Sequence, residues 1–199
     1  MRFLPLLVML FLLGGCSRGE QLPRLPADGV ILAFGDSITY GTGAAAGEGY
    51  PAVLERLTGR KVVNGGIPSE VTAEGLQRLP ELLEQVQPKM VIICEGGNDM
   101  IRRLPHGEIA TNLRQMVRLV KEKGAIPLLV SVPALDLSFA PPEFYGEIAR
   151  EAHIPWEEKT LTRILTSRSL KSDPIHPNAA GYRKLAEGLA QLLHEGGAI

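Results

Sequence analysis

The chain has 199 residues, 45% of them hydrophobic and 22% charged, with a formal net charge of −1. That length and composition suit one globular domain with a sizeable core. The charge is nearly balanced, with no basic run, no interleaving of basic and aromatic residues and no acidic tail, which argues against a nucleic-acid surface.

The first segment, "MRFLPLLVMLFLLGGC", has one positive charge at Arg2, an apolar run over residues 3–13, then small residues and a cysteine. This is the layout of a signal peptide, and the run is short of the roughly 20 apolar residues that span a bilayer of about 30 Å. "LGGC" also resembles a bacterial lipobox, which makes residues 1–15 the signal peptide and Cys16 the lipidated N-terminus. An ordinary signal peptide with a coincidental cysteine is the alternative. Residues 16–29, polar with two prolines near their middle, read as a flexible tether, so the expectation is a domain at 30–199 anchored by lipid in the bacterial cell envelope. The second of the two cysteines, Cys94, lies in the apolar run "MVIIC" and reads as a buried small hydrophobe; with Cys16 lipidated, no disulfide framework is possible.

Beyond residue 29, short apolar runs alternate with amphipathic stretches. Strands are predicted at 30–34, 61–64, 90–94 and 126–132, with a weaker one at 154–156. Helical spacing places Leu76, Leu79, Leu82, Leu83 and Val86 on one face before Pro88, repeats over 108–123 until Gly124, and returns over 179–194. Strict alternation with nearly all-apolar strands predicts an α/β fold whose parallel sheet is covered on both faces. Ligands bind such sheets beyond the carboxyl ends of the strands, so chemistry is expected in the loops after Phe34, Asn64, Cys94 and Val132. Residues 133–142, "PALDLSFAPP", read as a long irregular loop on that edge.

Ser37, in "FGDSITYG", follows the first strand. It can be a nucleophile whose own N–H faces a developing oxyanion, or simply a helix cap. Four histidines could serve it as a base. His194 falls in the last helical turn, and His153 and His106 have no carboxylate placed to orient them. In "SDPIHPN", Asp173 stands three residues before His176 in a loop stiffened by Pro174 and Pro177. There the carboxylate can hold Nδ1 and leave Nε2 to take a serine proton, or the pair can be a capped turn with a surface histidine. "EGGNDM" after the third strand offers Asn98 as an uncharged amide donor, or else as a turn former. Asp36 reads as a local hydrogen-bonding residue that fixes the turn. No histidine spacing suits a metal, and "GTGAAAG" lacks the lysine of a phosphate loop, so neither a metal nor a cofactor is expected.

The motifs "FGDSITYG", "NGGIPSEVT", "GGND" and "DPIHPN", in this order, resemble those of the GDSL or SGNH hydrolase family, in its bacterial arylesterase, thioesterase and lysophospholipase branch. The resemblance covers residues 30–193. It implies a three-layer α/β/α flavodoxin-like fold of about five parallel strands. It also implies Ser37 as nucleophile, His176 as general base, Asp173 as its orienting acid, and an oxyanion hole from the Ser37 N–H, the Asn98 amide and the Ser69 N–H. Ser69 departs from the pattern, since the family has glycine there; the N–H survives, but a Cβ penalises positive φ. The function implied is hydrolysis of small acyl esters, thioesters or lysophospholipids by a monomer. A cell-envelope carbohydrate O-deacetylase and a non-catalytic ligand-binding lipoprotein are the alternatives.

Overall fold

The computed structural model describes residues 21–136 and 138–199. The expected signal peptide and Cys16 lie outside them. In chain order the elements are β1 (Ile31–Gly35), α1 (Ser37–Tyr40), α2 (Tyr50–Thr58), β2 (Val62–Gly66), α3 (Thr72–Val86), β3 (Met90–Cys94), α4 (Gly97–Ile101) and α5 (His106–Glu122). There follow β4 (Ile126–Val130), α6 (Phe144–Ala152), β5 (Trp156–Glu157), α7 (Thr160–Thr166) and α8 (Ala179–Glu195). All five strands are parallel, in the order β2-β1-β3-β4-β5. α2 packs on α8 and α7 on α8, while α3 and α6 pack on α5, giving the expected three layers.

Every residue of β1 and β3 is buried, as their unbroken apolar sequences require of strands covered on both faces. β2 lies at an edge and is only half-buried. The chain moves from β1 outward to β2, then back across to β3, so the topological switch point lies between the carboxyl ends of β1 and β3. That crevice is where Ser37 and Asn98 emerge.

Two sequence expectations are corrected. The fifth strand is Trp156–Glu157 rather than 154–156: Pro155 has no N–H to donate, and only its carbonyl joins the sheet by accepting from Leu129. The Glu157 side chain then ends the strand by accepting from the Thr160 N–H at the start of α7. The second correction concerns the expected tether. From Leu22 onward it is docked: Leu22 and Leu25 N–H donate to the Gly196 and Ala198 carbonyls at 2.8 Å each, and Leu25 is buried. Alternating leucines and prolines favour such an extended, side-chain-anchored segment where composition alone suggests a free leash.

Candidate active site

Gly35 closes β1 against Cys94; a Cβ there would lie 2.2 Å from the Cys94 carbonyl oxygen, so only glycine lets β1 and β3 stay in register to their ends. The chain then turns into α1. The N-cap of α1 is Asp36, whose Oδ1 accepts from the Ile38 N–H at 2.9 Å. The cap position is therefore taken, and Ser37 is the first helical residue with its side chain in the cleft.

From the far end of the chain, the loop before α8 meets it. Asn178 caps α8 by accepting from the Gly181 N–H and anchors the loop through its amide to the Ser169 carbonyl. A bridge pairs Lys171 with Pro177, and the Ser172 N–H donates to the His176 carbonyl. The hairpin thus held presents His176 with Nε2 2.9 Å from Ser37 Oγ and Nδ1 2.7 Å from Asp173 Oδ2. The other Asp173 oxygen accepts from the Ile175 and His176 N–H groups at 2.9 Å each. Desolvation raises the Asp173 carboxyl, but the hydrogen bonds from the His176 ring and these two amides outweigh it and hold the group below the usual carboxylate value. Asp173 is therefore anionic, and it orients the imidazole so that Nε2 faces the serine.

Asn98 lies in the first turn of α4, beside Ser37 in the same cleft. Its Nδ2 donates to the Glu70 carbonyl at 2.9 Å and to Asp36 Oδ2 at 3.1 Å. The next residue, Asp99, fastens the start of α3 by accepting from the Thr72 N–H (2.9 Å) and the Thr72 hydroxyl (2.6 Å). Ser69 does stand in the left-handed region, at φ 69°, and neither Gly65 nor Gly66 relieves it of the turn. Ser69 is exposed at the rim and does not line the cleft, and Arg102 Nη2 donates to its carbonyl at 2.8 Å.

The cleft is shallow and partly open, with a cavity of about 30 Å³, far below the roughly 300–1,000 Å³ usual for small-molecule sites. Much of its lining is apolar: Ile38, Ile101, Val132, Leu135, Leu165 and Ile175. Leu135 comes from the irregular loop, which is free of helix and strand among its described residues, as expected. Three histidines stay away from Ser37. His106 begins α5 edge-on to Phe144, His153 ends α6, and His194 lies in the last turn of α8.

Among the described residues four carboxyls are buried at or behind the cleft, Asp36, Glu70, Glu95 and Asp99, and only Asp36 is singled out by its place in the sequence. Glu70 is held by Arg78, whose Nε and Nη2 donate to its two oxygens at 2.8 and 2.6 Å while the guanidinium lies 4.3 Å over the Phe34 ring. Burial pushes the Asp36 carboxyl up to about 6 even though the Ile38 N–H opposes the shift.

A serine, a histidine and an aspartate thus stand in hydrogen-bonded series at the switch point of a parallel sheet, an arrangement suited to hydrolytic chemistry. The GDSL-like Lipase/Acylhydrolase family matches residues 33–184, and the chain belongs to that family of ester-bond hydrolases. It is 32% identical over 180 residues to the thioesterase 1/protease 1/lysophospholipase L1 of Escherichia coli strain K12, covering 85% of this chain and 86% of that protein. It is 29% identical over 201 residues to an arylesterase of Vibrio mimicus, covering 94% and 95%. The crystal structure of TesA superposes with a TM-score of 0.73 at 28% identity, over 82% of this chain and 97% of that one.

Proposed function

We propose that the chain is a serine esterase that cleaves small acyl esters or thioesters through an acyl-enzyme. The observation that carries this reading is the continuous line from Asp173 through His176 to Ser37 Oγ, with bonds of 2.7 and 2.9 Å. Ser37 Oγ attacks the acyl carbonyl carbon as its proton passes to His176 Nε2, and Asp173 stabilises the imidazolium. The oxyanion is bound by the Ser37 N–H and by the Asn98 Nδ2 hydrogen now turned to Asp36, the longer of its two bonds. Ser69, the third donor that the resemblance implies, lies outside the cleft lining and has no part in this reading. His176 then protonates the departing alcohol or thiol, and water repeats the sequence on the acyl-serine.

The apolar wall receives the acyl chain, and the small volume favours short chains. The names of the relatives cover thioesters, aryl esters and lysophospholipids. We further propose that the enzyme is anchored by lipid at Cys16. The test is hydrolysis of p-nitrophenyl acetate, butyrate and longer esters. Wild type turns over the short esters, Ser37→Ala loses at least about a thousandfold in kcat, and Asn98→Ala loses roughly 10²–10³ without loss of fold. Equal inertness of wild type and Ser37→Ala across all chain lengths would return the chain to the ligand-binding reading, and a full-rate Asn98→Ala enzyme would remove that residue from the hole.

A further inference from the structure

Of the four buried carboxyls, three have donors: Asp36 has the Ile38 amide and Asn98, Glu70 has Arg78, and Asp99 has Thr72. Glu95 has none. It is fully buried just beyond β3, and among the described residues no donor reaches either of its oxygens. An isolated carboxylate there would carry a large desolvation cost with nothing to offset it. The group facing it is another carboxyl. A methyl placed on Gly75 would lie 3.3 Å from both Glu95 Oε1 and Glu70 Oε2, so the two oxygens converge on the bare flank of α3, and the side chains are within hydrogen-bonding reach of each other. Two carboxyls can bond only if one keeps its proton. Glu70, already gripped by a guanidinium, is the better anion, which leaves the proton on Glu95.

We propose that Glu95 is a positioning residue for the oxyanion hole: as the neutral acid it donates to Glu70 Oε2 and so fixes the residue whose main-chain carbonyl holds Asn98. Glu70 is gripped from both sides, by Arg78 of α3 and by Glu95 of the β3 end, and its carbonyl 2.9 Å from Asn98 Nδ2 carries that rigidity into the cleft. Burial, followed by the charges of Asp36 and Glu70, holds the Glu95 carboxyl well above the ordinary glutamate value. The groups around it are Asp36 from the β1 end, Cys94 of β3, Glu70 from the loop after β2, Arg78 of α3, Asp99 of α4 and the Tyr145 hydroxyl of α6, which donates to the Glu95 carbonyl. Arg78 alone among them is cationic, and it is committed to Glu70. Ionising Glu95 at alkaline pH therefore places two anions side by side, breaks their bond and loosens Asn98.

This inference rests on the esterase reading, and two readouts keep the two apart. In protein labelled with 13C at glutamate side chains, the wild type shows at neutral pH a carboxyl resonance in the protonated range that is missing from Glu95→Gln. In p-nitrophenyl butyrate hydrolysis, Glu95→Gln keeps kcat within about twofold, since its amide also donates to Glu70, and lacks the alkaline fall of the wild type. Glu95→Leu loses about tenfold in kcat with KM within about twofold, because the hole acts in the transition state. A Glu95 resonance in the ionised range at neutral pH, an alkaline limb unchanged in Glu95→Gln, or a full-rate Glu95→Leu enzyme overturns the proposal. If Glu95→Leu fails to fold, the resonance and the Glu95→Gln profile decide. A wild type inert on every ester brings down the esterase reading instead, and the resonance still shows whether Glu95 is the donor.

Discussion

Asp36 accepts one bond that shapes the turn before Ser37 and another from the amide proposed to bind the oxyanion, and it does so from a buried position. Its carboxyl titrates at about 6 in the folded chain against an ordinary 3.8. The native state therefore keeps a proton that the unfolded chain releases. Stability falls as pH rises from about 4 to about 6, by about 3 kcal/mol in all, and stays lower above that range. Asp36→Asn removes this term. Urea unfolding at a series of pH values is expected to show the variant gaining on wild type by about that amount between pH 4 and pH 7; a variant that runs parallel to wild type would mean that Asp36 titrates normally. Ser69 makes the opposite kind of prediction. A side chain in the left-handed region costs roughly 1 kcal/mol, and among the described residues no hydrogen bond from the Ser69 hydroxyl offsets it, so Ser69→Gly should raise the unfolding free energy by about that amount, read as a higher urea midpoint, and leave kcat unchanged. The strain at Ser69 was legible because φ preference is a local property of one residue. Glu95 was not, since its meaning depends on Glu70 and Arg78, which reach it from separate elements and leave no spacing in the sequence.

At the scale of elements, the site depends on how α4 and the loop after β2 are tied together. Arg102, the residue capping α4, donates from Nη2 to the Ser69 carbonyl, an exposed bond that links the cleft rim to the helix carrying Asn98. Such an exposed bond is worth at most roughly 1 kcal/mol, so Arg102→Ala should lower the melting temperature by no more than about 2–4 °C and kcat by no more than about fivefold. An unchanged kcat would mean that Ser69 is held by its turn alone. The strands β1, β3 and β4 were readable because a buried parallel strand is apolar throughout, and α3, α5 and α8 because each shows one long apolar stripe. The shorter α2, α6 and α7 did not stand out. α2 opens on Tyr-Pro after a glycine-rich stretch, and α6 follows the proline-rich loop, so local composition masks nine-residue helices that tertiary packing stabilises. The loop before α8 was the clearest of all: Asp173, His176 and Asn178 lie within one short segment, so the Asp173–His176 bond and the Asn178 cap both arise from local spacing.

Across the whole molecule, the two ends of the sheet have different duties. The cleft opens at the carboxyl ends of β1 and β3, whereas the docked segment from Leu22 to Leu25 lies against the chain's last residues and leads into the amino end of β1. Five residues of β1 at about 3.3 Å each separate these edges by roughly 16 Å. Between Cys16 and Gln21 the chain can reach at most about 18 Å, so a lipid at Cys16 would tether the domain to its membrane from the amino edge of the sheet, the edge remote from the cleft. Under the anchoring proposal, an attachment at the edge away from the cleft favours substrates arriving from the aqueous side over lysolipids in its own bilayer. The expected outcome is that Cys16→Ser releases the protein from the membrane fraction without changing kcat on p-nitrophenyl butyrate. Lipidated enzyme reconstituted in vesicles should cleave a soluble thioester as fast as the released form, and should cleave a lysophospholipid in its own vesicle no faster than one in separate vesicles. Membrane retention of Cys16→Ser would refute the anchor. Preferential cleavage within the same vesicle would mean that the Leu22–Leu25 contacts release and let the domain turn over, and weakening them by Leu25→Ser should then increase that preference further.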